Sequence, residues 1–392
     1  MTTNSKGYTA KYFLDKASQE SGLNDYGAGE FLPSFEKLVY SLTEEAQLTD
    51  VGWAAMHPRL LRLLVNRLRF QADLKKHPEI LDQELAPALV LVGLPRTGST
   101  KLQRMIAASK AFQELIMWQA YNPARMVEDE EEDRKLRLLS AEEFCAWRAS
   151  TNPATNAAHH VAAAQIEEET YLLEFTFESI FPMSSAYLPS YVEHLKTRDR
   201  ADSYTYLRQL LQYLQWQFPA DSDKPWILKS PINLGFERHI LREIPGSRFL
   251  VSHRDPTTSV ASLAAVMKQS RKLYSDWIDK QAVGEWALEE FSAEIQRHMD
   301  WRDSKPEAAV MDLGFADIRD NGLDVARRVH EFIDVPLSAE AEASITDWLQ
   351  ENVQHKHGKH VYSLEEFGLT PADVQTAFAE YMQRYAEFLR AS

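Results

Sequence analysis

Cysteine is nearly absent: the 392-residue chain has one, Cys145. A single thiol excludes an intrachain disulfide and any metal site built from cysteines, and it fits a reducing compartment. Long hydrophobic runs are missing as well. No stretch approaches the roughly 20 apolar residues of a membrane-spanning helix. No apolar segment of the signal-peptide kind follows Met1-Thr2-Thr3-Asn4, so a cytoplasmic location is expected. Positive charge is in deficit, with 43 Lys and Arg against 58 Asp and Glu and a net charge of −15. That balance disfavours a general nucleic-acid binder, while leaving room for a local basic pocket that holds a small anion. There is no internal repeat and no low-complexity linker. A single domain is the simplest reading, with a helical extension over residues 1–85 packed on an α/β core over 86–392.

What is present is an ordinary globular composition, 44% apolar and 26% charged. Apolar positions spaced by three and four predict helices over Phe31–Leu42 and Ala54–Leu74. Asp50 stands where it would cap the second. Its arginines, Arg59, Arg62, Arg67 and Arg69, read as solvated. Trp118–Pro123 reads as loop, and the acid run Glu128–Asp133 as a solvated helix end. Long helices are predicted over residues 157–180 and 203–218.

Four short apolar runs read as strands: Leu89–Val92, Trp226–Leu228, Phe249–Val251 and, more weakly, Ala309–Leu313. Helical segments separate them at intervals that suit βαβ crossovers. The fold class expected is therefore α/β: a three-layer P-loop-like fold whose central parallel sheet is flanked by helices, with helical additions at both ends. Three strands end on cations, at Arg96, Lys229 and Arg254. Ligands in such folds bind beyond the carboxyl ends of the strands.

The first of these ends carries the densest signal. Gly93-Leu94-Pro95-Arg96-Thr97-Gly98-Ser99-Thr100 joins a buried strand to a helix start. Such a turn aims backbone N–H groups, hydroxyls and a helix dipole at one anion. The two glycines have Walker spacing, but Ser99 stands where the Walker lysine belongs and the cation, Arg96, precedes Gly98. The loop is thus a phosphate cradle with a displaced cation, which disfavours an ATP or GTP hydrolase.

Pro95-Arg96-Thr97-Gly98-Ser99-Thr100-Lys101-Leu102 resembles the Pro-Arg-Ser-Gly-Thr-Thr-x-Leu loop of sulfotransferases. Trp226-Ile227-Leu228-Lys229-Ser230-Pro231 resembles the family's Trp-x-Leu-Lys-Ser-Pro block. His253-Arg254-Asp255-Pro256, with Ser262 eight residues beyond Arg254, resembles its 3′-phosphate site. The tail His357-Gly358-Lys359-His360-Val361-Tyr362, followed by Glu366-Phe367-Gly368-Leu369, is similar to the bacterial branch. These blocks run in order from about residue 88 to the C-terminal region.

The resemblance implies transfer of a sulfuryl group from 3′-phosphoadenosine 5′-phosphosulfate (PAPS) to a hydroxyl, leaving 3′-phosphoadenosine 5′-phosphate (PAP), without a metal. It implies that Arg96, Thr97, Gly98, Ser99 and Thr100 hold the 5′ end of the donor, and that Arg254 and Ser262 hold the 3′-phosphate. Lys229 would stabilise charge on the leaving oxygen. Lys356, Gly358 and Lys359 read as a cationic loop over the nucleotide; the interleaved lysines argue against zinc at His355, His357 and His360.

The acceptor hydroxyl needs a base. Ile166-Glu167-Glu168-Glu169-Thr170-Tyr171-Leu172-Leu173 resembles an acidic segment of the bacterial branch and points to Glu168, with Glu167, His160 and His159 as the other candidates. An unbroken helix would put His160 and Glu168 two turns apart on one face. Two departures stand out. Asn233 replaces the histidine of Lys-Ser-Pro-x-His, and Phe315-Ala316-Asp317-Ile318 lacks the tyrosine of the family's Tyr-x-Asp-Leu. The acceptor expected is a small molecule or lipid; a homo-oligomeric state stays open. An atypical P-loop kinase and a non-catalytic nucleotide-binding protein are the alternatives.

Overall fold

Leu89–Gly93, strand β1, consists of five consecutive buried residues. A strand covered on both faces has no polar face to alternate with, so the run is continuous rather than period-two. The computed structural model describes residues 7–153, 156, 160–352 and 363–389. Four further strands follow: β2 Gln113–Glu114, β3 Trp226–Lys229, β4 Arg248–His253 and β5 Val310–Gly314. All pairs are parallel and the order across the sheet is β2-β3-β1-β4-β5. β1 is therefore central, flanked by β3 and β4. The three cations expected at strand ends come from three adjacent strands. This is the P-loop-like α/β architecture expected. The two-residue β2 has no sequence signature of its own, and it extends the sheet at one edge.

The described residues group into two compact units. The sheet belongs to the unit formed from Leu85–Leu115, Ala220–Ala265 and Asp279–Ser392. Helix Ser99–Ala107 follows β1, helix Glu237–Glu243 follows β3, and helix Pro256–Arg271 follows β4 and continues beyond this unit.

The other unit draws on Met1–Glu84, Ile116–Pro219 and Val266–Ile278. Its axis is the helix Asp50–Lys76. Thr49, not Asp50, caps it: the Thr49 hydroxyl accepts from the Gly52 N–H at 3.0 Å. This cap satisfies one of the orphan donors of the first turn. Three arginines of this helix are held internally instead of being solvated. Arg67 is 4% exposed, donates to the Phe175 carbonyl at 2.7 Å and lies over the Phe31 and Tyr206 rings. Arg59 forms an ion pair with buried Glu174, and Arg62 approaches the same carboxylate at 3.7 Å. At these three positions the helix is covered by its own unit, so the charges found internal partners.

Two other expectations are corrected here. The segment Met117–Tyr121 is a short helix, not loop. No long helix runs over residues 160–180. Ala163 and Gln165 instead accept backbone hydrogen bonds from Trp118 and Met117, and Ile166 bridges to Ile116. Only Thr170–Leu173 is α-helical among the described residues there. Alanine content favoured helix locally, but the extended pairing prevailed. The helix predicted at 203–218 is present as Ala201–Gln217.

The acid run opens the helix Glu130–Thr151, where Asp129 is the N-cap and the acids of the first turn complement the dipole. One of them, Asp133, is buried and holds Arg137 at 3.0 Å. The Arg137 side chain is fully buried and also donates to the Asn122 and Pro123 carbonyls and to Gln217. No described helix is long and apolar enough to cross a membrane. Arg137→Ala would leave buried Asp133 without its cation and remove the donor to the Asn122 carbonyl. A stability loss of about 3–5 kcal/mol is expected, to be measured by urea denaturation.

Candidate functional site

The chain leaves β1 through Gly93 at φ +144°, close against β4. A Cβ there would lie 2.5 Å from the Ser252 carbonyl oxygen and 2.7 Å from its Oγ, so no side chain fits. Two more residues with positive φ follow, Arg96 at +71° and Gly98 at +87°. Left-handed residues alternating with ordinary ones curl the backbone so that successive N–H groups converge, which makes an anion cradle. Arg96 is the exception among them, a side-chain-bearing residue held in the left-handed region at a cost of roughly 1–2 kcal/mol.

Helix Ser99–Ala107 begins directly after Gly98. Its N-cap residue, Gly98, has no side chain to cap it, and its first turn contains no acid. Its leading N–H groups and positive dipole end are therefore directed at an external anion. Ser99 and Thr100 are half-buried beside them. Thr97 has a different role from its neighbours. Its buried hydroxyl bonds to the Leu94 carbonyl at 2.8 Å and to Ser252 Oγ at 2.6 Å, so the side chain shapes the loop from inside. Ser252 was not legible as a site residue, yet it touches both Gly93 and Thr97.

Lys229 ends β3 and is 1% exposed. Its ammonium lies 3.2 Å from Thr100 Oγ1, at the mouth of the cradle. Ser230 and Asn233 behind it are fully buried; the Ser230 hydroxyl accepts from the Ile232 N–H, and the Asn233 N–H donates to the Ser230 carbonyl. At this position asparagine is part of the turn that presents Lys229.

Arg254 leaves β4 and reaches back to the same loop. Its Nη1 donates to the Arg96 carbonyl at 2.9 Å, and its guanidinium lies 4.0 Å from the Phe315 ring centre. Phe315 also closes the cradle from the other side, because a Cβ on Gly98 would come within 3.1 Å of its ring. One aromatic ring thus braces both the cradle and the second cation. Ser262 is buried on the helix that follows Arg254, three positions beyond the buried Ser259. Both serines face the interior of this helix's N-terminal half.

The base candidates lie in the other unit. Glu168 is half-buried, and one of its carboxylate oxygens accepts from Thr170 Oγ1 at 3.3 Å. Glu167 and Glu169 are buried, and His160 is exposed. Because residues 160–169 are not helical, His160 and Glu168 do not share a helix face. His159, Lys356, Gly358 and Lys359 lie outside the described residues. Among the described residues no group of three or more His, Cys, Asp or Glu could hold a metal ion.

A central parallel sheet with cations on three adjacent strand ends, around a curled loop and a helix start, defines an α/β protein of the P-loop-like type. The model of the sulfotransferase family matches residues 87–339, and the chain belongs to that family. Two solved structures are similar over nearly their whole length. Sulfotransferase STF9 from Mycobacterium avium is 25% identical, with a TM-score of 0.86 over 98% of each chain. Sulfotransferase STF1 from Mycobacterium tuberculosis H37Rv is 26% identical, with a TM-score of 0.82 over 95% of this chain and 99% of that one. No curated protein sequence matches.

Gly93→Ala would force a methyl group against β4. It is expected to destabilise the protein by roughly 2–5 kcal/mol, through overpacking and backbone strain together. Equilibrium denaturation beside wild type measures this; a stable Gly93→Ala protein would mean the close approach is not obligatory.

Proposed function

We propose that the protein transfers a sulfuryl group from PAPS to the hydroxyl of a small-molecule or lipid acceptor, releasing PAP. The observation that carries this reading is the placement of two cations around one loop. Lys229 stands at Thr100, and Arg254 is anchored on the Arg96 carbonyl. A donor with phosphate groups at both its 3′ and 5′ positions suits two such points; a donor with one phosphate cluster does not.

The fit follows from the donor set. The N–H groups at the start of Ser99–Ala107, with the Ser99 and Thr100 hydroxyls, suit the 5′-phosphosulfate. Arg254 offers the planar fork that matches a phosphate, and Ser262 is its hydroxyl companion. Lys356, Gly358 and Lys359 are assigned to the nucleotide on the sequence resemblance alone.

The chemistry requires no metal. The acceptor oxygen forms a bond to sulfur as the bond between sulfur and the bridging oxygen of the donor breaks. That oxygen takes the electron pair and leaves with PAP. The negative charge it gains is met by the Lys229 ammonium, which is held in a buried setting where its field is little screened. The acceptor's proton passes to a base, assigned to Glu168, with His160 the second candidate.

Calorimetric titration with adenosine 3′,5′-bisphosphate, ATP and AMP tests the donor assignment. The bisphosphate is expected to bind tightest, and Arg254→Ala to weaken it roughly 10- to 100-fold, as loss of hydrogen bonds to a charged group implies. A preference for ATP would favour a kinase and sink this reading. For the chemical step, Lys229→Ala is expected to lower kcat by about 10²–10³. Glu168→Gln should slow turnover on any accepted alcohol or phenol by about 10²–10⁴. Full turnover in Glu168→Gln would move the base to His160 or His159.

A further inference from the structure

The residue before Arg254 is not part of the phosphate chemistry, yet both of its ring nitrogens have partners and two aromatic rings stack on it. His253 is the last residue of β4, and its side chain is fully buried. Its register partner on β5 is Gly314, which has no side chain to cover it. A C-terminal segment fills that space instead: a Cβ on Gly314 would lie 3.0 Å from the Phe388 carbonyl oxygen. The rings of Tyr385 and Phe388 stack on the imidazole at 4.2 and 5.4 Å.

The two ring nitrogens have defined partners. Nε2 is 2.8 Å from Asp312 Oδ1, and Nδ1 is 3.1 Å from the Tyr381 hydroxyl. Asp312 is an anion. Burial opposes its ionisation, but hydrogen bonds from His253 and Arg302 hold its pKa down to about 2. An anion can only accept, so His253 carries its proton on Nε2. Burial, which outweighs Asp312, lowers the His253 pKa and favours the neutral ring. Nδ1 is then an acceptor and takes the single proton of Tyr381. The lone pairs of that hydroxyl are left for the backbone N–H of Arg254, which points at it. The donors run in one direction, from the Arg254 N–H to Tyr381 and on to His253 and Asp312.

We propose that Tyr381 is a positioning residue for recognition of the 3′-phosphate. Its hydroxyl fixes the backbone of Arg254 through a hydrogen-bonded chain that ends on Asp312. The proposal rests on the reading of Arg254 as the 3′-phosphate ligand. The guanidinium is already held on one side by the Arg96 carbonyl and Phe315. Tyr381 sets the other end of the same residue. A fork that must meet a phosphate bidentately tolerates little rotation of its own backbone. The C-terminal segment is thereby tied to nucleotide selectivity through the backbone of Arg254.

The test is the ratio of affinities for adenosine 3′,5′-bisphosphate and AMP, which differ by the 3′-phosphate, measured by calorimetry on the full chain. Tyr381→Phe keeps the ring and removes the hydroxyl. It is expected to lower bisphosphate affinity about five- to tenfold, the scale of one lost hydrogen bond, and to leave AMP unchanged. Asp312→Asn, which removes the anion that sets the His253 tautomer, should lower the same ratio and serves if Tyr381→Phe does not fold. Tyr385→Phe is the control. Its hydroxyl has no hydrogen-bond partner among the described residues, and the ratio should stay at the wild-type value. A wild-type preference for the bisphosphate retained in Tyr381→Phe or in Asp312→Asn overturns this proposal alone. A wild-type protein that binds the two nucleotides equally overturns it together with the donor assignment.

Discussion

The close approach of β1 to β4 at Gly93 and Ser252 is the constraint on which the candidate site depends. The Ser252 hydroxyl bonds to Thr97, and its carbonyl occupies the space a Gly93 side chain would take. Pinned on β4, the loop after β1 has little choice but to curl over the strand ends. The curl has two consequences. It turns the N–H groups of the following helix outward to an anion, and it brings the Arg96 carbonyl within reach of Arg254. The two phosphate-type points are therefore one mechanical object. Packing sets them in place, and the cations then act at fixed positions, which is what electrostatic preorganisation requires.

The sheet was largely legible in the sequence because buried parallel strands are written as apolar runs, and three of them led into an unusual cation. β1, β3, β4 and β5 all fell within a residue or two of the expected positions. β2 was not legible, since two residues at a sheet edge carry no period. The segment around residue 160 misled for a related reason. Its alanines fit a helix, but nothing local signals that Met117 and Trp118, more than 40 residues earlier, will take its carbonyls. Propensity is a weak prior, and tertiary pairing overrode it. The buried arginines of Asp50–Lys76 escaped in the same way: periodicity shows which face is apolar, not whether the charged positions beside it are also covered.

Within the site, the residues that would touch a ligand were more legible than those that hold them. Arg96, Lys229 and Arg254 announce themselves as cations at strand ends. Ser252, His253, Phe315 and Tyr381 do not, because each matters through a partner distant in sequence. Phe315 is instructive. The family pattern led one to look for a tyrosine hydroxyl there, but bracing Gly98 and stacking beneath Arg254 require only an aromatic face. Asn233 is similar: it is buried in the turn that follows Lys229, a position where backbone geometry rather than a titrating ring is what the structure uses.

Arg96 illustrates why a strained residue persists. Glycine would adopt φ +71° at no steric cost, whereas arginine there costs roughly 1–2 kcal/mol. The left-handed conformation sends its carbonyl toward Arg254, and a hydrogen bond from a charged donor contributes about 1.5–3 kcal/mol. The two magnitudes are comparable, so the hydrogen bond from Arg254 offsets the strain. The arginine side chain then adds a cation to the cradle that glycine could not supply. Strain in the loop and the charge at β4 are in this sense a single feature: remove Arg254, and Arg96 loses the hydrogen bond that offsets its unfavourable conformation.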